Sequence, residues 1–298
     1  MILVTGATGL VGSHLVRRLR KENIPVRAVV RTPSKAQALR DLGVEVVPGD
    51  VSDPWSLMAA AKGAERVVHL VGIIQEGRGF TFQSVHVDGT RNVLEAAAKA
   101  GVKHFFHQSA LGTREGAKSA YHRTKWEAEE LVRMSRIPFT ILRPSLIYGP
   151  GDLFTTRLAE MIRLSPVLPV MGSGRSRVQP IFIDDVVTCI AKAVTSDAFP
   201  GRTLEIGGPD QLTYEEVTKA IADALGVKRP VVHMPLVFLR MMARVAETVL
   251  PTPPVTTDQL IMLQEDNICS MQDIREAFGV EPVRFADGLK RFLRRAGK

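Results

Sequence analysis

Residues 1–15, MILVTGATGLVGSHL, set the reading of the whole chain. Ile2, Leu3 and Val4 predict a short buried strand, Thr5 to Gly12 a glycine-rich turn, and Ser13 onward a helix. Gly6, Gly9 and Gly12 fall at Gly-x-x-Gly-x-x-Gly spacing between strand and helix. Gly6 permits the tight turn, Gly9 lets the backbone approach a pyrophosphate, and Gly12 lets helix and strand pack closely. The helix N-terminus adds free N–H groups and the positive end of a dipole. The stretch therefore reads as a dinucleotide phosphate site, with a purely structural glycine turn as the alternative.

Composition narrows the classes. The chain has 298 residues, 45% of them hydrophobic, and no apolar run reaches the ~20 residues that span a bilayer. Met1 leads straight into strand residues, so no signal peptide is expected. Cys189 and Cys269 lie far apart without metal spacing, which suits a reducing cytoplasm and predicts no metal site. A net charge of +8 favours anionic partners: a phosphorylated cofactor, acidic lipid or nucleic acid. No motif interleaves aromatic and basic residues, so nucleic acid is not expected.

Along the chain, strands are expected at 25–30, 44–47, 66–72, 102–108 and 139–142, alternating with helices. Ser34 is expected to cap a helix through Leu42, and Ser119 to precede one through Ser135. Val85 to Ala100 reads as the strongest helix. His69 reads as a satisfied core histidine, and His104 and His107 face opposite sides of their strand. Six strands in the first 145 residues argue for an α/β fold with a doubly wound parallel sheet. Residues 1–148 are assigned to this Rossmann domain and 149–298 mainly to a smaller substrate-binding region, with 178–206 returning to the core. Beyond it lie a strand at 178–183, a helix that Thr213 caps, and an amphipathic stretch at 235–250. A final helix presents Phe285, Leu289, Phe292, Leu293 and Ala296, with Arg291, Arg294, Arg295 and Lys298 outside.

The second strand ends at Arg31, with Lys35 close behind. An acidic residue there would bind the 2′-hydroxyl of NAD, whereas arginine can fork onto a 2′-phosphate. NADP(H) is therefore preferred and NAD(H) admitted, with a solvated basic loop as the alternative. Asp50 either accepts from the adenine amino group or caps its turn. The expected cofactor contacts are Gly6, Thr8, Gly9, Leu10, Val11, Gly12, Arg31, Lys35, Asp50, Val51, Val71, Gly72, Tyr121, Lys125 and Pro144.

Tyr121 and Lys125 stand four apart on a predicted helix and share a face; Ser109 sits at the mouth of the preceding strand. Strand carboxyl ends face the ligand crevice in such sheets. A phenol of pKa ~10 is a poor base at neutral pH, and a nearby ammonium favours phenolate. Tyr121 then exchanges a proton with an alcohol or carbonyl, Lys125 holds ribose hydroxyls, and Ser109 holds the substrate oxygen. Alternatively, Tyr121 and Lys125 only hold the cofactor.

The opening Thr-Gly-Ala-Thr-Gly-Leu-Val-Gly, Ser109, Tyr121-His122-Arg123-Thr124-Lys125, Arg143-Pro144 with Tyr148-Gly149-Pro150-Gly151-Asp152, and Phe182-Ile183-Asp184-Asp185-Val186 carry a resemblance. They are similar to the extended or atypical short-chain dehydrogenase/reductases, the epimerase/dehydratase group. Gln108-Ser109-Ala110-Leu111-Gly112, Arg31-Thr32-Pro33, Pro251-Thr252-Pro253-Pro254 and Asp258-Gln259-Leu260 resemble relatives of the accessory NADPH-binding subunit of respiratory complex I. Two positions depart. His86 stands where many members carry an Asn that supports a water link to the lysine, so it either replaces that residue or catalysis is lost. Ser145 stands where nucleotide-sugar enzymes often carry Asn.

The resemblance implies an oxidoreductase acting on a carbonyl or alcohol of a hydrophobic small molecule. The alternatives are a non-catalytic NADP(H)-binding accessory or redox-sensing protein of a membrane respiratory complex, and a nucleotide-sugar epimerase or dehydratase. A cytoplasmic location is expected, with peripheral membrane contact as the variant that the 235–250 stretch and final helix motivate; the oligomeric state stays open, a homodimer being common among the extended members that the chain resembles.

Overall fold

A computed structural model describes residues 1–77, 79–250 and 253–293, with the side chain of Lys35 outside that description. Its central sheet has seven strands: β1 (Ile2–Thr5), β2 (Val26–Val30), β3 (Glu45–Pro48), β4 (Arg66–His69), β5 (His104–Gln108), β6 (Phe139–Pro144) and β7 (Arg202–Ile206). Their order is β7-β6-β5-β4-β1-β2-β3, and the pairings from β3 through β6 are parallel. The strand order reverses between β1 and β4, so a crevice opens beyond their carboxyl ends, where doubly wound sheets bind ligands.

Helices on the sheet supply the apolar cover that parallel strands need on both faces. They are α1 (Leu10–Lys21), α2 (Gln37–Asp41), α3 (Pro54–Ala61), α4 (Gly89–Lys99) and α5 (Ala120–Met134). One core cluster joins Leu3, Leu57, Val67, Val93, Phe105, Val132 and Ile141. Ser119 caps α5, its hydroxyl accepting from the His122 N–H at 3.1 Å. Gly101 follows α4 with φ +69°, a left-handed backbone that suits glycine.

Two local expectations fail. Ser34 caps nothing; Pro33–Lys35 forms a 3₁₀ turn, and α2 begins after Ala36 without a side-chain cap. The Pro33 carbonyl accepts the Ala36 N–H at 3.1 Å, which closes the 3₁₀ turn ahead of α2. The helix expected from Val85 is not α-helical throughout: Gln83–Asp88 is wound as a π-helix that feeds α4.

The chain divides into two compact units, Met1–Arg143 with Val186–Leu204, and Pro144–Asp185 with Glu205–Lys298. The first holds most of the sheet, and Phe199 ties its returning segment to β6 by accepting from the Thr140 hydroxyl at 2.9 Å. In the second, Tyr148 is fully buried between the rings of Phe182 and Phe285, with centroids 5.4 and 4.8 Å away. The strand expected over 178–183 is interrupted at Gln179-Pro180, leaving Arg177–Val178 and Ile181–Phe182, and a helix starts at Ile183. Thr213 and Glu216 form a capping box on the helix Tyr214–Leu225. Arg294, Arg295, Ala296 and Lys298 of the expected final helix, and Pro251 and Thr252, lie outside the described residues. Among those described, no helix is long and apolar enough to cross a membrane.

Candidate active site

The turn between β1 and α1 is built as its glycine spacing requires. Gly6 has φ +79°, and a Cβ there would stand 3.0 Å from the Leu70 carbonyl carbon. A Cβ on Gly12 would stand 2.2 Å from the Gly6 oxygen and 2.7 Å from Ala7 Cα. At Gly9 only the Gly6 oxygen is near, at 3.3 Å, so its outer side is open. The first turn of α1 has no capping side chain and no acidic residue. Its N–H groups, with exposed Thr8 and Gly9 beside them, make a cradle that fits a pyrophosphate. Leu10 is half-buried, and buried Val11 turns its side chain to the core.

At the ends of β2 and β3, exposed Arg31 brings its Nε to 3.8 Å from Asp50 Oδ2. Asp50 Oδ1 accepts both the N–H and the hydroxyl of Ser52, each at 2.8 Å, so the carboxylate closes its own turn. The Val51 carbonyl accepts from Asn92 at 2.8 Å, which binds this turn to α4. Lys35 lies in the 3₁₀ turn after Arg31.

At the other end, α5 carries Tyr121 and Lys125 on one face. Lys125 Nζ donates to the Gln108 carbonyl at 2.8 Å, at the end of β5. A Cβ on Gly72 would lie 3.3 Å from that Nζ and 3.7 Å from His86 Nε2. Val71 and Gly72 follow β4, so lysine, histidine and the β4 exit meet. Tyr121 packs edge-on against His86, Phe82 and His122, with centroids 5.4, 5.9 and 5.1 Å away. Buried Ser109 donates its hydroxyl toward Thr113 Oγ1 at 3.4 Å, a long and weak bond. Pro144 ends β6 and belongs to the second unit.

Burial pushes the Tyr121 phenol up to about 12. Burial also draws Lys125 down to about 8, against the opposing pull of Glu129. Burial thus acts on Tyr121 in the direction opposite to phenolate.

His86 is fixed at both nitrogens. Nδ1 lies 3.0 Å from Thr124 Oγ1, and Nε2 lies 3.1 Å from both the nitrogen and the oxygen of Ile73. The Thr124 hydroxyl donates its one proton to a carbonyl of its own helix, Ala120 at 2.9 Å or Tyr121 at 3.1 Å. The Ile73 N–H can meet only a lone pair, which assigns the proton to Nδ1 and leaves Nε2 as acceptor. Burial first, then the Lys125 charge, lowers His86 to about 2, so it is neutral.

A polar row crosses the sheet beneath this end, since Thr5, His69 and His107 are in register on β1, β4 and β5. His69 bridges Thr5 at 2.7 Å and Thr90 at 3.1 Å, as expected of a satisfied core histidine. His107 stacks on His69 at 5.5 Å, and both its ring nitrogens are buried without a hydrogen-bond partner among the described residues. Sequence reasoning did not single out Thr124, Phe82 or the His107 side chain as neighbours of the site. Only the alternation of β5 pointed to His107.

The profile of the NAD(P)H-binding family matches residues 6–156. A ceramide reductase of Caulobacter vibrioides is 36% identical over 235 residues, 79% of this chain and 74% of that protein. The mitochondrial NADH dehydrogenase [ubiquinone] 1 alpha subcomplex subunit 9 of Arabidopsis thaliana is 30% identical, over 91% of this chain and 72% of that protein. The crystal structure of an NADPH-dependent quinone oxidoreductase from Escherichia coli, complexed with NADPH, superposes with a TM-score of 0.78 at 20% identity. That superposition covers 98% of this chain and 100% of the other. The chain thus belongs to the NAD(P)H-binding family, with the extended short-chain dehydrogenase/reductase-like proteins as its relatives.

Proposed function

We propose that this protein is an NADP(H)-dependent reductase of a carbonyl group on a hydrophobic small molecule, with the second unit contributing the substrate-binding residues. The observation that carries the reading is the placement of Tyr121 and Lys125 on one face of α5, with Lys125 Nζ held at the β5 exit by the Gln108 carbonyl. The likeness to a ceramide reductase supports an apolar substrate.

The bound cofactor supplies a hydride. The α1 N-terminus and the Gly6–Gly12 turn hold its pyrophosphate, and Arg31 forks onto a 2′-phosphate. Lys125 holds the ribose hydroxyls. Ser109 turns from its long bond with Thr113 to hold the substrate oxygen. Tyr121, a phenol at neutral pH, donates its proton to that oxygen as the carbonyl carbon is reduced. Lys125, lowered to about 8, then restores the proton to the far more basic phenolate and regains one from solvent as product leaves. The raised phenol favours reduction over oxidation as the working direction.

A second reading is an accessory protein that holds NADP(H) without turnover. It is favoured by His86, both of whose nitrogens are committed, and by the likeness to the alpha subcomplex subunit 9.

NADPH oxidation against long-chain ketones, aldehydes and quinones separates the two. The reductase reading expects turnover, with Tyr121→Phe lowering kcat about a hundredfold or more and leaving NADPH affinity unchanged. Tight NADPH binding with no turnover on any carbonyl would establish the second.

A further inference from the structure

In the second unit, the helix Leu236–Val249 is packed on one side only. Ala243 is buried on its inner face, and Leu236 lies against Gly172, where a Cβ would stand 2.8 Å from Leu236 Cγ. The Glu247 carboxylate accepts the Thr257 N–H at 2.6 Å and hydroxyl at 2.5 Å. The outer face is mostly apolar: Val237, Phe238, Met241, Met242, Val245 and Val249 are all exposed, Val237 by 79% and Val249 by 69%, and the one polar residue among them, Thr248, turns its hydroxyl back to the Val245 carbonyl at 2.8 Å. At 100° per residue these six fall within about 140° of the helix circumference. Six large exposed apolar side chains on one arc are more than the scattered single residues that need no explanation, and such a patch marks an interaction surface.

Arg240 and Arg244 lie one turn apart along one border of this stripe. Arg240 hydrogen-bonds the Gln264 side chain at 3.1 Å, and neither arginine forms a salt bridge with a described residue. Long cationic side chains beside an apolar face suit the boundary between hydrocarbon and anionic headgroups. A second copy of the chain fits less well. In an isologous contact this face meets itself, which brings four arginines to one seam against only two carboxylates, the Glu247 pair, each already accepting from Thr257.

We propose that the helix Leu236–Val249 lies flat on an anionic bilayer surface, its stripe in the acyl boundary and Arg240 and Arg244 on the headgroups. This goes beyond the reductase reading and is independent of turnover.

The test is co-sedimentation of the full chain with phosphatidylcholine vesicles, with and without phosphatidylglycerol. Preferential binding to the phosphatidylglycerol vesicles is expected. Arg240→Gln and Arg244→Gln should each weaken it about fivefold. Met241→Ser with Val237→Ser should weaken it at least about tenfold on both vesicle types. Both pairs replace exposed side chains, and unchanged melting curves and NADPH binding would show that the fold is intact. Wild-type chain staying in the supernatant would overturn the proposal. So would binding that ignores both substitutions, or serine substitutions that dissociate a dimer while vesicle binding is absent.

Discussion

The backbone N–H of Ile73 donates to Nε2 of His86 at 3.1 Å, and the opposite nitrogen of the same ring is spent on Thr124. His86 therefore clamps the turn that leaves β4 onto α5, with no lone pair left for passing a proton to Lys125. His86→Ala leaves the Ile73 N–H without its acceptor and takes the Nδ1 donor from Thr124 Oγ1, and should cost about 2 kcal/mol, read as a lower urea midpoint. The pH dependence of turnover should keep its position. A limb of that profile vanishing with the imidazole would make His86 a relay after all.

Gly9 and Gly12 should separate binding from folding. A Cβ at Gly12 would collide with the Gly6 oxygen at 2.2 Å, so Gly12→Ala should lower the melting temperature and abolish cofactor binding together. At Gly9 the φ of −76° is ordinary, and the nearest atom would be 3.3 Å away. Gly9→Ala should melt like the parent and still lose dinucleotide affinity, because the methyl enters the cradle. Calorimetric titration with NADPH beside a thermal melt decides this; unchanged affinity in Gly9→Ala would place the pyrophosphate elsewhere.

Arg31 makes only an exposed contact at 3.8 Å to Asp50, and such pairs add little stability. Its side chain is available to a 2′-phosphate. Arg31→Ser should weaken NADPH about tenfold to a hundredfold, the range of a lost charge-assisted contact, and leave NADH affinity and the melting temperature in place. Equal loss for both nucleotides would remove the basis for an NADP(H) preference.

Acid should unfold this protein through its histidines. Burial, then the Lys125 charge, lowers His69 to about 3, and the same causes hold His107 well below its ordinary value and His86 at about 2. All three are neutral when folded and protonate near 6.5 once unfolded, so the unfolded state takes up the protons. Their contribution is intact above pH 6.5 and is lost as pH falls from there toward the folded values. Each histidine adds a slope of up to about 1.4 kcal/mol per pH unit, about 4 for the three. Urea midpoints should drop between about pH 7 and 5.5, above the range where ordinary carboxylates titrate. A flat midpoint across that window would mean that the imidazoles are solvated.

The readable parts of this molecule are the local ones. The Gly6–Gly12 turn, the Ser119 cap and the four-residue step from Tyr121 to Lys125 are written within single turns, so spacing alone predicts them. The turn role of Asp50 rests on Ser52, two residues away. Less local facts were hidden. Ile73 reaches His86 across a 13-residue separation, which no periodicity encodes. The raised Tyr121 phenol is a consequence of burial by Phe82, His86 and His122, and burial is set by how elements pack. The unpartnered nitrogens of His107 emerge only once β4 and β5 are in register.

The sheet's last strand has a consequence for synthesis. β7 comes from Arg202–Ile206, long after β6 has left the ribosome. At about 5–20 residues per second, the β6 edge waits several seconds with its backbone N–H and C=O groups unpaired. An open edge beside apolar Ile141 and Leu142 is a template for another nascent chain. An aggregation-prone stage thus falls between those two strands, and a fragment cut after Arg143 would keep that edge permanently.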